Sequence, residues 1–149
     1  MNILDLYQEL IIDHGTQPRN CCKLDNANGE AEGFNPLCGD KIHLYLKIEN
    51  QIIKKATFLG SGCAISMASA SLMTEALFGK TTQEALDLFS TFKSLLTTDN
   101  VDTAPLGKLA AFAGVKTFAV RVKCATLAWH TLQAAILQKC QTITTENND

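Results

Sequence analysis

The sequence predicts an α+β fold in which a small antiparallel β-sheet packs against several α-helices. Three observations carry that prediction. KIHLYLKIE alternates strictly between apolar and polar residues and is followed, across Asn50-Gln51, by a second extended run, so the two form a hairpin. After Gly62 the apolar spacing changes from period two to the three-and-four spacing of helices. The order of elements, one helix, then strands, then helices, is that of a sheet covered by helices.

The first element, MNILDLYQELIIDHG, places Ile3, Leu6, Tyr7, Leu10 and Ile11 on one helical face and is stopped by Gly15 and Pro18. Arg19 to Pro36 is rich in Asn and Gly and reads as loop, with GEAEGF as a short edge strand. In KIHLYLKIE, Ile42, Leu44, Leu46 and Ile48 take the core side, and Lys41, His43, Tyr45, Lys47 and Glu49 the other; QIIKKATFLG is the antiparallel partner. Beyond GSG, Ile65, Ala68, Leu72, Met73, Ala76 and Leu77 share a helical face that ends at Gly79. TTQEALDLFSTFKSLL opens with a capping box, Thr81 to Glu84, and its apolar stripe is Ala85, Leu88, Phe89, Phe92, Leu95 and Leu96. TTDNVDTAP is loop, and PLGKLAAFAG is a short helix led by Pro105 and ended by Gly114. AVRV reads as a short β-like segment before a last helix with Ala125, Ala128, Trp129, Leu132, Ala135 and Ile136 as its stripe; the polar tail QTITTENND is expected to fray.

Composition narrows the function. A chain of 149 residues, 46% hydrophobic, forms one domain with a real core. A net charge of −2, a pI near 5.9 and the lack of any basic run leave no electrostatic case for nucleic acid. Apolar stretches too short to span a bilayer, and an N-terminus without the basic-then-apolar order of a signal peptide, lead us to expect a cytoplasmic protein with no membrane partner. There the six cysteines point to metal binding or thiol chemistry ahead of a disulfide framework, although any one of them can also be a small buried hydrophobe.

Cys38 and Asp40 flank Gly39 at the start of the alternating run and, two residues apart, share its core side. A carboxylate there needs a cation or donors; a metal would serve, as would a helix N-cap hydrogen bond or an arginine. Cys63 stands where strand hands over to helix, and a thiol in the first turn is stabilised as thiolate by the helix dipole and unpaired N–H groups. A tight turn alone explains the flanking glycines but not the thiol. Cys124 begins the last helix beside Arg121 and Lys123, two cations expected to lower its pKa. Three thiols and a carboxylate at element junctions make four ligands for zinc or for an iron–sulfur cluster, although the long separations match no local zinc pattern. Cys21-Cys22 in the loop and Cys140 near the end are weaker candidates, as are His14 and His43, read as surface residues, and His130, more than a turn from Cys124. Met67 and Met73 read as core filling.

Taken together, LYQELIIDHGTQPRN, NPLCGD, GSGCAIS and VRVKCATLAWHTL cover nearly the whole chain and resemble the iron–sulfur cluster scaffold proteins of the IscU/NifU N-terminal type. The resemblance implies a SufE/NifU-like fold over residues 1–149 and a metal site made of Cys38, Asp40, Cys63 and Cys124. IscU-type scaffolds carry His before the last Cys and a Leu-Pro-Pro-Val-Lys segment upstream; Lys123 and AVRV in those places resemble the SufU branch instead. That branch implies bound Zn2+, a SufS-type cysteine desulfurase as partner, downstream iron–sulfur proteins or a scaffold beyond it, and a sulfurtransferase-like activity. Cys38 is then the expected sulfur acceptor, and Arg121 the residue expected to stabilise the freed thiolate or bind the partner. Two alternatives keep the same residues: a scaffold for a labile [2Fe–2S] cluster, and a structural zinc domain, against which the carboxylate of Asp40 counts.

Overall fold

In the computed structural model, which describes residues 3–99, 101–137 and 142–144, the alternating run forms β2 (Asp40–Glu49). Ile42, Leu44 and Leu46 are buried, and Ile48 packs at the edge of the core. Asn50 and Gln51 adopt φ of 53° and 64°, the left-handed pair of a two-residue I′ hairpin turn, and lead into β3 (Ile52–Ser61). Tyr45 lies on the polar side of β2 yet is buried, with its ring stacked on His43 at 4.5 Å.

The segment expected as an edge strand is β1 (Gly29–Asn35), and it is interior: the sheet order is β3-β2-β1-β4. β4 (Thr142–Thr144) lies in the tail expected to fray; it pairs parallel with Glu32–Phe34 of β1, so backbone pairing outweighs the polar composition there. The antiparallel description holds for β1, β2 and β3.

Helices cover one face of this sheet. α1 (Ile3–Thr16) runs through Gly15 and stops short of Pro18; Leu10 and Ile11 reach the core while Leu6 stays 48% exposed. α2 (Ala64–Leu77) and α3 (Thr82–Thr97) follow, the latter with the expected reciprocal bonds between Thr81 and Glu84. PLGKLAAFAG lies within a 3₁₀ segment, Ala104–Thr117, broken at Gly107 (φ 53°, ψ −126°) and continuing past Gly114. AVRV is no strand: it is the first turn of α4 (Ala119–Ile136), where docking of the helix on β1, β2 and α2 overrides the β preference of valine. Trp129 of α4 is fully buried, its ring 4.9 Å from Phe92, and its indole N–H donates to Ser69 of α2 at 3.1 Å. Met67 and Met73 are core residues, as expected.

His14 is a correction. Expected at the surface, it is buried, with Nδ1 2.7 Å from Ser71 Oγ and Nε2 3.8 Å from the Glu75 carboxylate. Burial, and then Arg19, push its pKa below the usual histidine value.

Candidate metal centre

The end of the sheet where β1 turns into β2 lies beside the β3–α2 junction, because Lys41 pairs with Ser61 and Asn35 with Asp40. The turn between β1 and β2, Pro36–Gly39, is closed by Gly39 N–H donating to Asn35 C=O at 2.8 Å, with Gly39 at φ 72°. Cys38 is therefore a turn residue, exposed, and not the first residue of the strand as its spacing to Asp40 suggested.

Asp40, the first residue of β2, has no exposed surface. Its Oδ1 accepts the N–H of Cys63 at 3.0 Å, and Oδ2 faces the Cys63 sulfur at 3.9 Å. This is the N-terminal hydrogen bond that competed with the metal reading, and it uses one carboxylate oxygen. Gly62 makes the approach possible, since a Cβ there would overlap the Asp40 carboxylate.

Cys63 is the N-cap of α2, and its sulfur accepts the Ser66 N–H at 3.4 Å. Its thiol pKa is lowered to about 6, chiefly by a hydrogen bond from Cys124 and further by the Ser66 N–H. The direction expected from the helix start is found, but the N–H groups of the first turn are the smaller cause and Cys124, which the sequence reading did not invoke, is the larger. The expectation for Cys124 fails. It sits in the second turn of α4, 2% exposed, and its pKa is raised, because it donates its proton to Cys63 and is buried. Proximity in sequence to Arg121 and Lys123 gave the wrong sign: Arg121 is exposed, its guanidinium 4.6 Å from the Phe118 ring.

Three elements thus converge. Cys38 Sγ lies 3.4 Å from Cys124 Sγ, and Cys38, Asp40 and Cys124 each place a ligand atom within 4.8 Å of the others. Cys63, the fourth residue expected as a ligand, lies outside that group and adjoins it through Asp40, its sulfur 3.9 Å from Oδ2. The donor set suits a divalent metal: soft sulfurs that ionise together when a cation arrives, and a buried carboxylate whose Oδ2 faces sulfur.

The remaining candidates lie elsewhere. Cys21 and Cys22 are exposed in the loop, Cys21 bridged to Phe58 of β3. His43 is paired with Glu30 and Glu32, and His130 is buried with its ring edge-on to Phe89 at 5.1 Å. Cys140 is outside the described residues. Sequence reasoning missed Asn35. It is fully buried, its Oδ1 accepts the Leu37 N–H at 3.2 Å, and its Nδ2 points to the Cys124 sulfur at 3.7 Å. Asn before Pro at the mouth of a turn was the signal available. Among the described residues, no helix is long and apolar enough to cross a membrane.

Known proteins resemble the chain over most of its length. Residues 6–125 match the family model for the NifU-like N terminal domain. The chain is 40% identical over 139 residues to the zinc-dependent sulfurtransferase SufU of Bacillus subtilis, covering 93% of this chain and 94% of that one. It is 40% identical over 131 residues to the iron–sulfur cluster assembly scaffold protein IscU of Thermotoga maritima, covering 88% and 92%. A crystal structure described as a candidate iron–sulfur cluster assembly scaffold protein for the SUF system, from Fervidobacterium islandicum, superposes with a TM-score of 0.83 at 36% identity, covering 91% of this chain and 99% of that one.

Proposed function

The chain belongs to the NifU-like N-terminal domain family, and from that premise we propose that it is a zinc-bound sulfur acceptor in iron–sulfur cluster assembly, taking sulfur from a SufS-type cysteine desulfurase. Cys38, Asp40, Cys63 and Cys124 are the ligands of the zinc, and Cys38 is the acceptor. One observation carries this reading: Cys38 is an exposed thiol on a turn, yet its sulfur lies 3.4 Å from the buried Cys124. Cys63 is exposed as well, but it is held as the N-cap of α2, whereas Cys38 rides on the β1–β2 turn and can meet a partner's persulfide while the other donors stay in place.

Bound at these donors, zinc would hold the thiolates ionised and shielded at neutral pH. The chain supplies the rest. Asp40 is fixed by the Cys63 N–H, Cys63 by the first turn of α2, and Cys124 by the body of α4. In the transfer step the Cys38 thiolate attacks the outer sulfur of the donor's cysteine persulfide. The new sulfur–sulfur bond forms on Cys38, and the electron pair of the old one leaves on the donor's cysteine thiolate. Arg121, exposed on the first turn of α4, is the residue assigned to stabilise the freed thiolate or bind the partner.

The names of the relatives favour a second reading, in which the same donors hold a nascent [2Fe–2S] cluster as cargo and the hard oxygen of Asp40 keeps it labile. One experiment separates the two. Desulfurase turnover is measured with and without the zinc-loaded protein in the absence of iron, for the parent and for Cys38→Ala. Stimulation that disappears in Cys38→Ala supports sulfur acceptance. No stimulation, with a transferable iron–sulfur chromophore after reconstitution, supports the scaffold.

A further inference from the structure

Asn35 ends β1 with no exposed surface, so both atoms of its amide need partners inside the protein. The backbone N–H of Leu37 can only donate, so the atom facing it is Oδ1 and the NH2 group faces Cys124. The two ends of one planar side chain therefore reach the two sides of the site. The oxygen holds the turn that presents Cys38, and the nitrogen approaches the buried sulfur on α4. The Asn35 carbonyl also accepts Gly39 N–H at 2.8 Å, closing the same turn. A Cβ built on Gly39 would meet nothing within 4 Å, so the outer side of that turn is open space.

We propose that Asn35 is a positioning residue that sets the separation of the Cys38 and Cys124 sulfurs by tying the Cys38 turn to α4 across its own amide. It acts in two ways. The Oδ1 arm keeps Cys38 over the site, and the Nδ2 arm orients a ligand sulfur and moderates its charge, as hydrogen-bonded neighbours of metal ligands do. The inference rests on Cys38 and Cys124 being ligands of one metal, as proposed above.

Two variants separate the arms. In Asn35→Ser a hydroxyl can still accept the Leu37 N–H but cannot reach Cys124; in Asn35→Ala both arms are gone. Zinc affinity is measured by chelator competition, and the cobalt-loaded proteins are compared by their thiolate-to-cobalt absorption. We expect both variants to lose about 10- to 100-fold in zinc affinity and to show an altered cobalt spectrum. Cys38 in Asn35→Ala should also be alkylated faster than in the parent when zinc is present. Variants that bind zinc within about twofold of the parent with an unchanged cobalt spectrum overturn the proposal, even if the metal-free protein is less stable, because that is what a purely structural asparagine would give. Should Asn35→Ala fail to fold, Asn35→Ser decides alone. A parent protein that binds no zinc in the same assay takes down the metal reading itself, and the inference with it.

Discussion

Replacing Gly62 by alanine tests how tightly the Asp40 carboxylate is placed. A Cβ on residue 62 falls 2.9 Å from Asp40 Cγ and 3.1 Å from its Cβ, with Oδ1 closer still. Ordinary contact begins at 3.4 Å, so the carboxylate carbon must retreat by at least 0.5 Å. Moved away from the backbone of residues 62 and 63, the 3.0 Å hydrogen bond from Cys63 N–H lengthens to about 3.5 Å, the outer limit for such a bond. Losing a buried bond to a charged group costs about 1.5–3 kcal/mol of stability. The same shift exceeds the roughly 0.2 Å that metal–ligand distances tolerate, so zinc affinity should fall by about 10- to 100-fold or more. Urea unfolding of the metal-free protein reads the first effect, and chelator competition on folded protein the second. A variant with stability and affinity both unchanged would refute the reasoning, for it would mean that the carboxylate has room to move and that Oδ1 is not held.

Other expectations follow from the same geometry. In the metal-free protein the alkylation rate of Cys63, followed by mass spectrometry, should rise with an inflection near pH 6, and in Cys124→Ala that inflection should move up toward the ordinary thiol value of 9.0; an unmoved inflection would exclude the hydrogen bond from Cys124 as the cause. His14 has a lowered pKa in the fold, so the unfolded chain binds its proton more readily. Its contribution to stability is then complete above about pH 6.5 and is lost as pH falls toward the folded value; His14→Gln should flatten the loss of stability between about pH 7 and pH 5.5, where the carboxylates contribute little, and an equal slope in both proteins would contradict this. Thr81→Ala should cost about 1 kcal/mol through loss of the α3 cap and leave zinc affinity unchanged, since the cap is remote from the donors in the chain and in the fold.

What could be read from the sequence was whatever is decided locally. The alternation of Ile42, Leu44 and Leu46 fixes β2, and the Thr81–Glu84 box fixes the start of α3, because each depends on neighbours a few residues away. Cys63 was legible for the same reason: a strand ending in glycines before a helical stripe defines an N-cap, and an N-cap thiol has a known environment. The errors are long-range. Two valines made AVRV look extended, but packing on the sheet and α2 makes it helix and carries Cys124 from an expected helix start into the interior. With that move its neighbours change from adjacent cations to two thiols and a carboxylate, and the sign of its shift reverses. His14 finds Ser71 across 57 residues and Asn35 finds Cys124 across 89, distances over which no periodicity speaks.

The sulfurs of Cys38 and Cys124 are neighbours in space and 86 residues apart along the chain. A ribosome adds about 5–20 residues per second, so roughly four to seventeen seconds separate the synthesis of one from that of the other. Throughout that interval the emerging chain carries Cys38, Asp40 and Cys63 without the buried Cys124 that α4 later provides. On the proposed metal reading, loading waits for the synthesis of α4. A chain that stalls, or is clipped ahead of α4, lacks Cys124 and so cannot complete the proposed donor set.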